Sequence, residues 1–597
     1  MTLPIALTLG FLSIAGLLRA TGRLRSDLVA LVLLMALGLA GLVPLGALFS
    51  GFSRSAVILI IAIYMIAAGL EATGAFRLLS RHWLRLAAGG ETRAVLGVML
   101  LAAALSLGLN TIVVVAMLLP AVMVLARQVG VPPARLLIPL SFGALLGGMA
   151  TLFTTANILA SAALVDQGLP AFTVLDFLPA GAPIVLAGIL FMALIGRRLL
   201  PRHPRPGAEA ARGPRPLSQT YGLSELVQAV YIKPGSPLAD QSLVAGQWGG
   251  RLGLTVVGLA RGGSIHLAPA PDEVVRAGDV VLFMGFTDAE DLAPYGLIFT
   301  EEPNWQGRLA SSSVSLVEVV PAPRSAALGK TLREINFREK FDLTVLAFWR
   351  EGTTLREGLA DLPLRLGDAP LLQGRRERLA VLRRDPDFLV LEEDTDEAPV
   401  SRRAWLAIGL ALAALILPAA NILPIAEAAF SAAALMVLFG CVTIERAYRA
   451  VDWKTVFTIA AILPISLALT DTGAAAWLGQ QLVGALGGAG PLAVAAALFM
   501  AAVALTQVVG GRVVAVVLAP VAIAAGPLLG ADPRALAMVV AWGCSTAFLT
   551  PGAHAANRLV MGPGGYRTRD FVRVGLPLTA VVLAAILVVL PFYWGLR

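Results

Sequence analysis

Charge and metal-ligating side chains are what this sequence has least of. Of 597 residues only 14% are Asp, Glu, Lys or Arg, where a soluble globular chain carries about 25%. Four His and two Cys leave no material for a zinc cluster or a disulfide framework. Cys441 and Cys544 each stand alone in an apolar run and read as packing residues. Nothing in the chain assembles a nucleophile, a base and an oxyanion hole, so it is not read as an enzyme and needs no enzymatic cofactor. The net charge is only +8, and the basic residues flank apolar runs rather than forming one patch, which argues against nucleic acid. What is abundant is apolar side chain, 57% of the chain, interrupted by 60 Gly and 37 Pro. Those proportions describe an all-α polytopic membrane protein whose helices are not all straight.

About 20 apolar residues cross a bilayer. Candidate spans lie at 4–19, 27–47, 54–71, 135–165 and 173–196, then at 403–421, 426–444, 453–471, 533–550 and 573–594. The first lacks the charged leader and small-residue cleavage site of a signal peptide. Two more stretches, 94–129 and 488–530, are too long for one span and have polar or Gly-rich centres, Leu109-Asn110-Thr111-Ile112 and Val509-Gly510-Gly511-Arg512. These read as re-entrant hairpins. Between the apolar halves, 200–402 has soluble character, opening with Leu200-Pro-Arg-His-Pro-Arg-Pro and closing on Ser401-Arg402-Arg403. Runs such as Leu254-Thr-Val-Val-Gly and Val280-Val-Leu-Phe predict small α/β modules. The expected division is a membrane repeat over 1–199, a linker over 200–215, soluble domains over 216–303 and 304–396, and a second membrane repeat over 397–597.

Arginines set the orientation. Arg19, Arg23, Arg25, Arg77, Arg81, Arg85, Arg93, Arg197, Arg198, Arg446, Arg449, Lys454, Arg567, Arg569 and Arg573 fall on one side if both hairpins return to the face they left. Arg54 and Arg534 fall on the other. The positive-inside tendency then places the insert in the cytoplasm and both termini on the outer side of the membrane.

The halves repeat. Pro120 and Pro520, and Asn157 and Asn557, are each 400 apart, and Thr73-Gly74-Ala75 returns as Thr472-Gly473-Ala474. Asp176-Phe177 with Gly181 and Pro183 returns as Asp570-Phe571 with Gly575 and Pro577. Five spans and one hairpin per half make the repeats inverted, and inverted repeats with matching broken helices are the sequence sign of a secondary transporter. The insert repeats at 89: Ser236, Arg261, Gly263, Gly278-Asp279 and Gly285 match Ser325, Arg350, Gly352, Gly367-Asp368 and Gly374.

The chemistry concentrates at the breaks. Asn110 and Thr111 offer amide and hydroxyl groups where two half-helices meet, suited to an anion at the N-terminal end and to sodium through their oxygens. Capping of a buried helix end is the alternative. Arg512 lies inside an apolar run, where an arginine usually faces a cavity, a partner or a substrate. Its planar fork matches sulfate or carboxylate, and pairing with Asp471 or Glu71 is the alternative. Gly510 and Gly511 either admit an oxyanion to the backbone or pack closely at the tip. Thr155, Asn157, Thr550 and Asn557 occupy matching loops and are further candidates for the substrate site, Asn157 for sodium as well. His554 reads as structural, with a hydrogen bond to an anion as the alternative, and Arg261 and Arg350 as solvated, with an acidic ligand as theirs. No Walker-type or Gly-x-Gly-x-x-Gly phosphate loop occurs in the insert.

Phe548-Leu-Thr-Pro-Gly-Ala-His-Ala-Ala-Asn557, Gly562-Pro-Gly-Gly-Tyr566 and Asp570-Phe-Val-Arg-Val-Gly575 carry a resemblance, supported by Thr21-Gly-Arg-Leu-Arg-Ser-Asp27 and Gly147-Gly-Met-Ala-Thr-Leu152. They resemble the divalent-anion/sodium symporters that include citrate, dicarboxylate and sulfate permeases. The insert is similar to a tandem pair of the ligand-sensing C-terminal domains of TrkA-type potassium-transport regulators. The resemblance implies a homodimeric carrier in which an anion meets Ser-Asn-Thr-type hairpin tips with sodium beside them. Here the tips read Asn110-Thr111-Ile112 and Gly510-Gly511-Arg512. The expected function is alternating-access transport of small divalent anions, sulfate first and dicarboxylates second, with a small regulatory ligand on the insert. A regulatory or potassium-linked membrane protein, in which the insert is the main functional unit, remains the competing reading.

Overall fold

Helix ends in this chain are written by caps and by glycine. The computed structural model describes residues 2–596 apart from 22–23, 77, 79–82, 84–86, 202–226, 253, 286, 301–308, 312, 351–352 and 392–400. The Pro/Arg-rich linker from 202 on, Arg23, Arg77, Arg81, Arg85 and Gly352 lie outside the described residues, as do the expected boundaries at 216, 303–304 and 396.

The first half runs α1 (Leu3–Ala20), α2 (Ser26–Leu39), α3 (Ser55–Thr73), α4 (Glu91–Ser106), α5 (Thr111–Val129), α6 (Leu137–Met149), α7 (Thr155–Asp166) and α8 (Val174–Phe191). The second runs α9 (Ala404–Ala419), α10 (Ile425–Leu438), α11 (Ile444–Ala450), α12 (Trp453–Asp471), α13 (Ala474–Leu486), α14 (Pro491–Val509), α15 (Gly511–Leu528), α16 (Pro533–Ser545), α17 (Ala555–Gly564) and α18 (Thr568–Trp594). Among the described residues seven helical stretches are long and apolar enough to cross a membrane, whereas α1, α2, α6, α7, α9 and α10 are apolar but shorter. The chain is a polytopic membrane protein.

Four expected spans are corrected. Those at 27–47 and 426–444 stop early, at Leu39 and Leu438. Gly41 and Gly440 follow with φ of +69° and +65°, the left-handed conformation that closes a helix. Those at 135–165 and 533–550 are not continuous helices: α6 and α7 are separated by 150–154, and α16 and α17 by 546–554. Each of the two long stretches divides into two helices at its polar or Gly-rich centre, α4–α5 and α14–α15.

The spacing of 400 carries contacts as well as residues. Gly143 of α6 lies against Met99 of α4, and Gly543 of α16 against Phe499 of α14, with no room for a Cβ in either case. In lipid, where apolar burial gives helices little reason to associate, such close backbone approach is what holds them. Asp176 completes a capping box with Thr173 at the start of α8, and Asp570 accepts from Arg567 N at 2.8 Å at the start of α18. Gly181 and Gly575, five residues further along each helix, press on the two breaks at Ala150 and Phe548. Across the halves, Tyr566 accepts from Ile138 N at 3.0 Å and donates to Ala134 O at 2.7 Å. Trp542 Nε1 donates to Met149 O at 2.9 Å.

The insert holds two antiparallel five-stranded sheets of one topology. The first has strands β1 (Val227–Ile232), β2 (Thr255–Arg261), β3 (Ser264–Leu267), β4 (Val280–Met284) and β5 (Leu297–Thr300), in the order β3-β2-β4-β1-β5. The second has β6 (Val314–Pro321), β7 (Thr344–Arg350), β8 (Thr353–Leu355), β9 (Ala369–Arg375) and β10 (Phe388–Val390), in the order β10-β6-β9-β7-β8. A bulge interrupts β2 at Val256/Gly258 and β7 at Val345/Ala347, so the spacing of 89 reaches the irregularities too.

Candidate functional site

Each hairpin tip meets one helix break, and an asparagine ties each break. At the first, Asn157 Nδ2 donates to Gly148 O at 3.1 Å and Thr151 O at 2.6 Å. Thr151 Oγ1 donates to Leu107 O, in the hairpin turn, at 2.6 Å. Thr111, buried at the head of α5, faces Gly148. Asn110 Oδ1 accepts from Ile112 N at 3.0 Å and so caps α5. Thr155 heads α7, while the hydroxyl that binds the break is that of Thr154, on Gly148 O at 3.2 Å.

At the second break the pattern returns. Asn557 Nδ2 donates to Ala547 O at 2.6 Å and Thr550 O at 3.3 Å. The tie to the hairpin is Gln507, whose Oε1 accepts from Thr550 N at 3.2 Å and whose Nε2 donates to Thr546 O at 3.3 Å. Gly510 is the hinge, with φ +84° and ψ 145° that an L side chain rarely adopts. Gly511 lies so close to Cys544 O that a Cβ has no room. Both glycines are therefore explained by backbone geometry.

The asparagines differ at one atom. Asn557 Oδ1 accepts from Ser141 Oγ at 2.6 Å. At the spacing of 400 the counterpart of Ser141 is Ala541, and Asn157 Oδ1 is buried with no partner among the described residues. Thr111 approaches the same Gly148 that Asn157 holds, and a free buried amide oxygen is of the kind that coordinates a hard cation. No group of three or more His, Cys, Asp or Glu suited to a metal occurs among the described residues.

The second tip is cationic. Arg512 Nη1 donates to Thr455 Oγ1 of α12 at 2.6 Å. Neither Asp471 nor Glu71 pairs with it, and Glu71 instead stands 3.7 Å from Arg446. Arg19, expected on the rim of the first span, turns inward: its Nε donates to Val509 O and its guanidinium lies beside Gly510. Arg558 Nη2 donates to Gly552 O at 2.9 Å in the second break. Arg19 lies within electrostatic range of both Arg512 and Arg558. Among the described residues none of the three has a carboxylate at ion-pair distance. Arg19, Arg558, Thr455 and Gln507 were missed in the sequence. The one available signal was that Arg19 falls within the last turn of its helix rather than beyond it.

His554 caps α17, its Nδ1 accepting from Ala556 N at 3.2 Å. The solvated reading of Arg261 and Arg350 is overturned. Arg261 forks onto Asp279 at 2.9 and 2.6 Å, and Arg350 onto Asp368 at 2.8 and 2.6 Å. The Asp279 hydrogen bond holds the Arg261 pKa above its ordinary value. Each aspartate also accepts a turn amide, Arg276 N at 2.7 Å and Arg365 N at 2.8 Å. These arginines therefore fasten a Gly-Asp turn to a strand, twice.

The citrate transporter family model matches residues 17–543 of this chain. The uncharacterized transporter YfbS of Escherichia coli (strain K12) is 33% identical over 98% of this chain and 98% of its own length. The uncharacterized transporter sll0640 of Synechocystis sp. is 30% identical over 99% of this chain and 98% of its own length. Sodium/sulfate cotransporter 2 of Chlamydomonas reinhardtii is 26% identical over 59% of this chain and 41% of its own length.

Proposed function

The chain belongs to the citrate transporter family, and on that premise we propose that it carries small divalent anions, sulfate first and dicarboxylates second, across a bacterial inner membrane. The observation that carries the reading is the gathering of Arg19, Arg512 and Arg558 about the second tip, where among the described residues no carboxylate stands at ion-pair distance and Asp452 reaches Arg512 only through the Thr455 hydroxyl that it holds. Guanidinium groups gathered with little nearby negative charge repel one another and are relieved by a bound dianion, and planar forks suit tetrahedral or carboxylate oxygens. The same charges disfavour a potassium pathway through this site. Asn110, Thr155, Thr550, Gly510 and Gly511 then shape the site, chiefly through caps and backbone approach, rather than supplying its charge.

Sodium is the proposed coupling ion, at the first tip, where Asn157 Oδ1 and Thr111 offer oxygen. At the second tip Arg512 supplies fixed charge in place of a transported cation. Transport is by alternating access. The body of hairpins and broken helices (α4–α7 and α14–α17) moves against a framework of α1–α3 and α9–α12, in a homodimer of inverted repeats. The insert is cytoplasmic and regulatory, a pair of TrkA C-terminal-type domains taking a small ligand. The test is uptake of labelled sulfate, succinate and potassium into proteoliposomes, with and without a sodium gradient. Saturable uptake of a dianion, faster with inward sodium, is the expected result. Potassium uptake without anion uptake would refute the reading.

A further inference from the structure

The second soluble domain grips both helical bodies at once. On the side of the hairpins, Arg127 of α5 donates from Nη2 to Leu391 O at 2.7 Å. The Gly367 turn lies directly on the backbone of Arg558 and Gly562 in α17, with no room for a Cβ on either glycine. On the side of the framework, the turn after β6 presents Arg324. Its guanidinium carbon stands 4.4 Å from the ring centroid of Tyr64 in α3, and its Nη1 donates to Ala450 O at the end of α11. The turn is held firmly, since Ala322 N donates to Asp387 O at 2.9 Å and Ala326 N to Asp387 Oδ1 at 2.6 Å. Tyr64 in turn lies beside Thr455, the residue that holds Arg512. A continuous path of contacts thus runs from the soluble domain to the second hairpin tip.

The duplication supplies a control within the chain. At the spacing of 89, Pro323 and Ser325 match Pro234 and Ser236, but Arg324 matches Gly235. The arginine stands in the copy whose turn touches α3 and α11.

We propose that the second soluble domain is a latch, fixed by its Gly367 turn to the hairpin body and closed on the framework by Arg324, so that each transport cycle requires Arg324 to leave Tyr64 and Ala450. This rests on the reading that the hairpin body moves against the framework. The framework side is the one that opens. It consists of an exposed arginine on one ring face and one carbonyl, whereas the opposite side adds to the Arg127 hydrogen bond a close approach of backbone against backbone. A cation–π contact of this kind is weak enough to break within a cycle and strong enough to bias the resting population.

The experiment is initial-rate sulfate uptake by the full chain in proteoliposomes. Arg324→Ala raises the maximal rate about fivefold, the population shift one weak contact supports, with KM within about twofold of wild type. Arg324→Lys stays near the wild-type rate. A doubly substituted Arg324→Cys, Ala450→Cys protein, bridged by a bifunctional methanethiosulfonate about as long as the lost side chain, stops transporting and resumes when its disulfides are reduced. Wild-type rates for Arg324→Ala together with undiminished uptake by the disulfide-linked protein would overturn the latch while leaving anion transport standing. No uptake of any dianion by the wild type would overturn the transport reading, and the latch with it.

Discussion

Truncating Arg512 to Ala tests the anion site where it depends most on one side chain. A dianion about 4 Å from a single guanidinium gains on the order of 8 kcal/mol at an effective dielectric of ~20. Desolvation offsets most of that, and losing one partner of such a pair typically costs about 2–5 kcal/mol. Sulfate affinity should therefore fall about 30- to 5,000-fold. The empty protein responds differently. Arg512 bonds Thr455 at 2.6 Å, and losing that bond costs about 1 kcal/mol. Relief of repulsion with Arg19 returns a similar amount, since like charges several ångströms apart repel by roughly 1–2 kcal/mol at that dielectric. Thermal stability without sulfate should thus stay nearly constant, while the stabilisation that millimolar sulfate gives the wild type disappears. Arg512→Lys recovers part of the affinity, because an ammonium cannot hold Thr455 and the anion in one planar fork. Direct binding of labelled sulfate to purified protein, paired with melting curves at several sulfate concentrations, measures both effects. A folded Arg512→Ala protein that binds sulfate as tightly as wild type would refute the reasoning.

Removing the buried hydroxyl of Ser141 by Ser141→Ala leaves Asn557 Oδ1 without its 2.6 Å donor and should lower stability by about 1–3 kcal/mol in thermal unfolding; unchanged melting would show that bond to be idle. Gly511→Ala places a methyl group on Cys544 O and should abolish transport or folding, whereas Gly552→Ala, whose Cβ meets nothing nearer than Thr550 Oγ1 at 4.0 Å, should be silent in uptake. Equal activity of these two variants would remove the close-approach explanation of the tip. A reporter inserted within 202–226 should read cytoplasmic and one fused after Arg597 periplasmic, and the same side for both would end the inverted topology.

What the sequence by itself determined is local or periodic. Asn110 caps α5, and Asp176 and Asp570 each accept from the backbone N–H three residues before them at the start of α8 and α18, because each acts on backbone a few residues away. The spacings of 400 and 89 were legible because duplicated folds keep residues at equivalent close approaches, as Gly143 on Met99 and Gly543 on Phe499 show. Arg512 stood out because its apolar neighbours make any arginine there costly. Only the tertiary structure decided which groups converge. Arg19 and Arg512 are almost 500 residues apart along the chain, and Thr455, Arg558 and Arg324 come from three further elements. A guanidinium reaches its partner along a flexible stem, so its destination is set by the packing of helices rather than by its neighbours in sequence. The same reason turned Arg261 and Arg350 from expected surface charges into forks on Asp279 and Asp368: the antiparallel pairing that joins residues 18 apart exists only once the sheet has formed.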